Sequence, residues 1–150
     1  MRDRIYITHQ DMQRLRRLVD GLHGAAKADG SNLASLEEEL DRARIVDANR
    51  IRPDVITLNS QVRVADLDSG KVMEYEVVYP NTKPRSSADA LSVLAPLGTA
   101  LLGYKAGDTI EWQVPKGKRR LKVVEVPYQP EAAEYAQEMS VLRSQETPGY

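Results

Sequence analysis

The 150-residue sequence has no cysteine, no phenylalanine, one tryptophan and two histidines. Without cysteine there is no disulfide, no thiolate nucleophile and no sulfur ligand for zinc. That absence also fits a reducing compartment, and the expected location is cytoplasmic. His9 and His23 are fourteen residues apart, without the short ligand spacing of a zinc site. No serine sits in a G-x-S-x-G elbow, and the glycines make neither a phosphate-cradling loop nor a dinucleotide fingerprint. No apolar run approaches the ~20 residues needed to cross a bilayer, and MRDRIYIT lacks the apolar core of a signal peptide. A net charge of −1 gives no bulk attraction to nucleic acid or membrane. The expectations are therefore no catalytic residue, no metal, no cofactor and no membrane partner.

What remains is ordinary for a globular protein, with 41% hydrophobic and 29% charged residues. A chain of this length buries roughly two-thirds of its unfolded surface, enough for one good core with a small subdomain beside it. The stretch Leu91–Asp108 organises the rest. Leu91, Val93 and Leu94 read as a short strand, and Pro96 suits the first position of a helix, where its missing N–H is harmless. Leu97, Ala100, Leu101 and Leu102 supply one apolar turn and a half, and Gly103 stops it as a left-handed C-cap. A helix this short does not hold itself in water, so a sheet must wrap it.

The flanking sequence supplies that sheet and one further unit. After an extended lead-in at Ile5–Ile7, Thr8 reads as a helix N-cap with Asp11 three residues on, close to a capping box. Met12, Leu15, Leu18, Val19 and Leu22 form the stripe of a helix ending near Gly21–Gly24. A second helix starts near Ser31 or Asn32, with Leu33, Leu36, Leu40 and Ala43 on one face. Two narrow stripes predict an antiparallel hairpin, and Thr8–Leu22 spans about 22 Å. Arg52-Pro53 then turns the chain away from helix, and from Val55 onward the period becomes two. Asp68-Ser69-Gly70-Lys71 and Pro115-Lys116-Gly117-Lys118 are turn signals. Asn81–Asp89 reads as a polar loop, the phase change at Val123-Val124 predicts a bulge, and Pro130-Glu131 opens a last helix. The expected fold is α+β: a helical hairpin over 1–50, an antiparallel sheet around one short helix over 51–134, and an extension over 135–150.

Two charged clusters invite a chemical reading. Glu37–Glu39 with Asp41 is dense enough to consider Mg²⁺, but acids near a helix N-terminus more simply make a solvated face. Lys116, Lys118, Arg119 and Arg120 form the strongest basic cluster, on a hairpin turn. They are the candidates for nucleic-acid contact, although aromatics for base stacking are scarce nearby. Trp112 alternates with Ile110 and Val114 and reads as core.

The central segment LSVLAPLGTALLGYKAGDTIEWQVPKG resembles the C-terminal domain of the Gre transcript-cleavage factors: a strand, S-P, a short helix ending L-I-G, a G-D-like turn and a P-G-G hairpin. A closer resemblance is to the Rnk family, named as regulators of nucleoside diphosphate kinase. It runs through Leu40–Ala43, Asn59-Ser60, Val78–Pro80, Ala95-Pro96, Ala100–Gly103 and Tyr128–Ala133. The resemblance implies an FKBP-like C-terminal domain and RNA polymerase as partner. It places the docking segment on Ser92, Pro96 and Leu97, with Ala95 where Gre factors often carry Ser. In Gre factors a long N-terminal coiled coil carries acidic residues that hold a second Mg²⁺ and promote RNA cleavage. Here the arm is short, and its tip, Gly24–Ser31, offers only Asp29.

These residues lead to a monomeric, non-catalytic regulator that docks at the secondary-channel rim of RNA polymerase and competes with Gre factors without stimulating cleavage. One alternative is a transcript-cleavage factor acting through Asp29. Another is a peptidyl-prolyl isomerase, which rests on fold alone and for which a chain without Phe has little pocket-lining material.

Overall fold

The computed structural model describes residues 5–25, 30–114 and 117–146. The elements are β1 (Tyr6–Thr8), α1 (His9–Ala25), α2 (Gly30–Arg42), β2 (Arg44–Val46), β3 (Gln61–Asp66), β4 (Val72–Val78), β5 (Asp89–Ser92), α3 (Pro96–Leu101), β6 (Thr109–Val114), β7 (Gly117–Tyr128) and α4 (Pro130–Glu146). The α+β expectation holds. Five strands form one sheet in the order β5-β4-β3-β7-β6, and β1 and β2 form a separate two-stranded sheet.

Thr8 caps α1 as expected, its Oγ1 accepting the Asp11 N–H at 3.2 Å. The helix then runs through Gly21 to Ala25. Its stripe is buried at Met12, Leu15 and Val19, and that of α2 at Leu33, Leu36 and Leu40. The two helices pack on each other, and α2 also packs on α3. β2 is a strand that the sequence pattern did not announce. The chain leaving α2 lies parallel to β1, with Ile7 level with Ile45 and the Arg44 N–H donating to the Ile5 carbonyl at 2.8 Å.

The large sheet departs from the expected antiparallel arrangement at one edge, because β4 and β5 are parallel, with Tyr75 level with Asp89 and Val78 level with Ser92. The cause is Glu76. Its buried carboxylate accepts the backbone N–H groups of Arg85 and Ser86 at about 3 Å, so the loop after β4 folds back along that strand before β5 begins. Elsewhere the pairing is antiparallel. The bulge expected at Val123-Val124 is present: Val64 pairs with Val123 but Arg63 with Glu125, leaving Val124 unopposed and exposed. The segment Val55–Leu58, expected to be extended, forms no named strand. Its residues are buried, and Ile56 exchanges backbone hydrogen bonds with Gly103 and Tyr104.

One continuous apolar cluster holds the fold together. It joins Ile5, Leu15, Leu36 and Leu40 of the N-terminal elements to Ile56, Val62, Leu101, Leu102, Leu121 and Val123. Each fully buried Leu or Ile contributes about 1.5–3 kcal/mol, so the helical hairpin is fastened along its base. Gly103 marks the seam: at φ +84°, a Cβ there would lie 2.4 Å from Ile5 Cβ.

Candidate functional site

Residues 89–103 form a compact strand–turn–helix. The Val93 N–H donates to the Val78 carbonyl, which ends β5. Ser92 then closes the turn twice, its carbonyl accepting the Ala95 N–H at 2.9 Å and its Oγ the Leu94 N–H at 3.1 Å. Thr99 Oγ1 returns from α3 to donate to the Val93 carbonyl at 2.7 Å. Gly98 is required there, since a Cβ would lie 2.0 Å from the Ser92 carbonyl oxygen. Ala95 holds an extended N-cap conformation (φ −69°, ψ 148°) with no side-chain cap, and Pro96 opens the helix.

Of the three docking residues inferred from sequence, Pro96 is exposed, Ser92 is half-buried, and Leu97 is only 8% exposed and belongs to the core cluster. The turn thus offers a fixed proline knuckle on a helix whose far end, at Gly103, abuts Ile5.

A second polar site lies where α1 meets the sheet domain. Asp11 is 4% exposed. Instead of completing a capping box at Thr8, its Oδ2 accepts the Leu58 N–H at 3.1 Å, and Arg14 lies 3.6 Å from Oδ1. Burial raises its pKa to about 6, and the nearby Glu131 adds to the rise, against the lowering effects of the Leu58 N–H and Arg14. Glu131 accepts from Thr57 Oγ1 at 2.7 Å, and Gln129 donates to the carbonyls of Arg52 and Val55. α1, the 57–60 turn and the start of α4 therefore meet at one buried polar junction. In the sequence Asp11 reads as a local capping residue. Only a partner 47 positions away makes it a junction residue, and no local pattern signals that.

On the basic hairpin, every described cation of the inferred nucleic-acid patch already faces an acid. Lys118 is 3.6 Å from Glu111, Arg120 is 3.3 Å from Asp68, and Arg119 is 2.6 Å from Asp66. The Asp66 carboxylate is held below the usual range by the Asp68 N–H first, then by the Ser69 N–H and Arg119. Lys116, Asp29 and the side chain of Trp112 lie outside the described residues. Of the acidic run on α2, Glu38 is exposed and Glu37 half-buried, but Glu39 is 7% exposed, so the run does not form a single solvated face. Among the described residues no group of three or more His, Asp or Glu could hold a metal ion.

Comparison with known proteins finds two family models along the chain. Residues 51–128 match the family model described as "Transcription elongation factor, GreA/GreB, C-term", and residues 3–46 match the Rnk N-terminus. The regulator of nucleoside diphosphate kinase of Escherichia coli (strain K12) is 45% identical over 100 residues, covering 66% of this chain and 73% of that protein. The chain belongs to the Rnk family. A GreA transcription elongation factor of Acetivibrio thermocellus is 35% identical over 91 residues, 61% of this chain and 57% of that protein. A solved transcription elongation factor GreA/GreB from Nitrosomonas europaea is 37% identical, with a TM-score of 0.66, over 85% of this chain and all of that one. As an Rnk-family member, the chain is a transcription-associated regulator. Its Ser92–Leu97 turn and basic hairpin fall within the GreA/GreB-type region, Asp11 falls within the Rnk-type region, and the hydrogen bond from the Leu58 N–H to Asp11 joins the two. No helix among the described residues is long and apolar enough to cross a membrane.

Proposed function

We propose that this chain binds RNA polymerase through the Ser92–Leu97 turn, at the secondary-channel rim where Gre factors dock, and modulates transcription without cleaving RNA. The observation that carries this reading is the exposed Pro96, held on a turn closed by Ser92 and Thr99 inside the region that matches the GreA/GreB C-terminal model. Pro96 is the contacting residue, Ser92 sets the turn, and Leu97 anchors it from below. The protein acts as a monomer in the cytoplasm, without cofactor or metal, through an FKBP-like domain and a short coiled-coil arm. Because Lys118, Arg119 and Arg120 are already paired with acids, the hairpin adds little to any nucleic-acid affinity.

The test is binding to core RNA polymerase and displacement of a Gre factor, read beside a cleavage assay on a stalled complex. Wild type should bind, displace the Gre factor and leave the stalled RNA intact, and Pro96→Asp should abolish binding. Cleavage by wild type that is lost in Asp29→Ala would replace this reading with that of a cleavage factor. Absence of binding by wild type would overturn it altogether.

A further inference from the structure

The loop between β4 and β5, residues 79–88, is built unlike an ordinary surface connection. It starts level with Ser92 and runs back to meet β5 level with Tyr75. Its second half is fastened by Glu76, which is 1% exposed. The Glu76 carboxylate accepts hydrogen bonds from the backbone of Arg85 and Ser86, the Ser86 hydroxyl at 2.8 Å and the Asn59 amide at 3.0 Å. At the loop's entrance Thr82 turns the chain onto the Tyr79 carbonyl, and Asn81 takes a left-handed conformation at φ 63°. This framework holds Lys83 and Arg85 out in solvent. Neither has an acidic partner among the described residues, whereas Lys118, Arg119 and Arg120 of the hairpin do. A buried carboxylate with this many donors orders the backbone that carries two unneutralised cations.

We infer that Lys83 and Arg85 form a second contact on the surface that receives Pro96, pairing there with exposed carboxylates of the partner protein. This rests on the polymerase-docking reading. β5, four residues long, separates the end of the loop from the turn that carries Pro96 by about 13 Å at ~3.3 Å per residue, a separation that one partner face can span. Protein carboxylates suit the loop better than nucleic acid does. Only two cations are presented, and Tyr79, at the start of the loop, has the Arg14 guanidinium 5.8 Å from its ring centroid, so it is not an open base-stacking platform.

The experiment measures the affinity of the full chain for core RNA polymerase at 50 and 300 mM salt, for wild type, Lys83→Ala/Arg85→Ala and Pro96→Asp. The double variant should bind about five-fold more weakly at low salt, the range for two exposed ion pairs. Its deficit should shrink at high salt as screening sets in, while its melting temperature stays at the wild-type value. Pro96→Asp should fail at both salts. Equal binding by the double variant and wild type, with Pro96→Asp still defective, would overturn the second contact and leave the docking turn standing. Loss of wild-type binding to single-stranded RNA in the double variant would move the loop onto nucleic acid and overturn it as well. If wild type does not bind polymerase at all, the docking reading and this inference fall together.

Discussion

Replacing Asp11 with Asn removes an ionisable group from the junction while keeping its shape and one acceptor oxygen for the Leu58 N–H. The folded-state pKa stands at about 6 against an ordinary value of 3.8. Between those values the folded chain holds a proton that the unfolded chain has lost, so stability falls as pH rises through this window and stays lower above it. At ~1.4 kcal/mol per pH unit, ionising Asp11 in the folded state costs about 3 kcal/mol. The carboxylate is 4% exposed, so water screens little of this. Allowing about 1 kcal/mol at every pH for an amide N–H₂ turned toward Arg14, Asp11→Asn should therefore be less stable than wild type by about 0.5–1 kcal/mol near pH 4 and more stable by about 2 kcal/mol at pH 8. In a chain of this size that is about 4–8 °C in melting temperature. Thermal unfolding followed by circular dichroism at pH 4, 5, 6 and 8 reads the difference, and comparing the two proteins at each pH cancels the titration of every other group. A variant less stable than wild type at pH 8 would refute the reasoning. It would mean that the Leu58 N–H and Arg14 overcome burial and that the ionised form is the stabilised one.

Three further substitutions probe other parts of the fold. Gly103→Ala should destabilise by about 2–4 kcal/mol, combining left-handed strain of 1–2 kcal/mol with overpacking against Ile5; a melting temperature within 2 °C of wild type would contradict the close approach. Ala95→Ser supplies the missing N-cap of α3 and should stabilise by about 0.5–1 kcal/mol, measured by urea unfolding; no gain would mean that the serine hydroxyl does not reach the first helical N–H groups. Glu76→Gln turns an amide N–H₂ toward the donors of Arg85 and Ser86 and should cost about 1.5–3 kcal/mol. Limited proteolysis should then cut within residues 80–88, and an unchanged cleavage pattern would deny Glu76 its hold on the loop.

Where interactions are local, the sequence foretold the structure closely. Thr8 caps α1, Pro96 and Gly103 bracket α3, Asp68–Lys71 makes its turn with Gly70 at φ 77°, and a doubled apolar residue at Val123-Val124 produces a bulge. Each of these is decided within a few residues by backbone geometry or side-chain alternation. The misses come from contacts that no window contains. Asp11 looks like half of a capping box until Leu58 arrives from the other unit. Glu76 sits in a strand among Tyr75 and Val77 with nothing to mark it as the anchor of residues 85 and 86, and the direction of β5 follows from that anchor. The Ser92–Leu97 turn was legible as a motif, but only the fold reveals that Leu97 is buried and Pro96 exposed. The basic hairpin was legible as charge, while its neutralising acids lie elsewhere, Asp66 at the end of β3 and Asp68 in the turn after it.

The contact between Gly103 and Ile5 gives the arm a fixed aim. α3 has six residues, about 9 Å of helix, with the proline knuckle at one end and the root of the N-terminal elements at the other. In the proposed docking, a surface that gripped the knuckle would orient the helical hairpin like the barrel of a sighted instrument. Reach then becomes independent of direction. Adding seven residues to each of α1 and α2 would advance the tip by about 10 Å along the same line, keeping both apolar stripes in phase and leaving the grip untouched. A protein built this way can change how far it probes without relearning where to hold on.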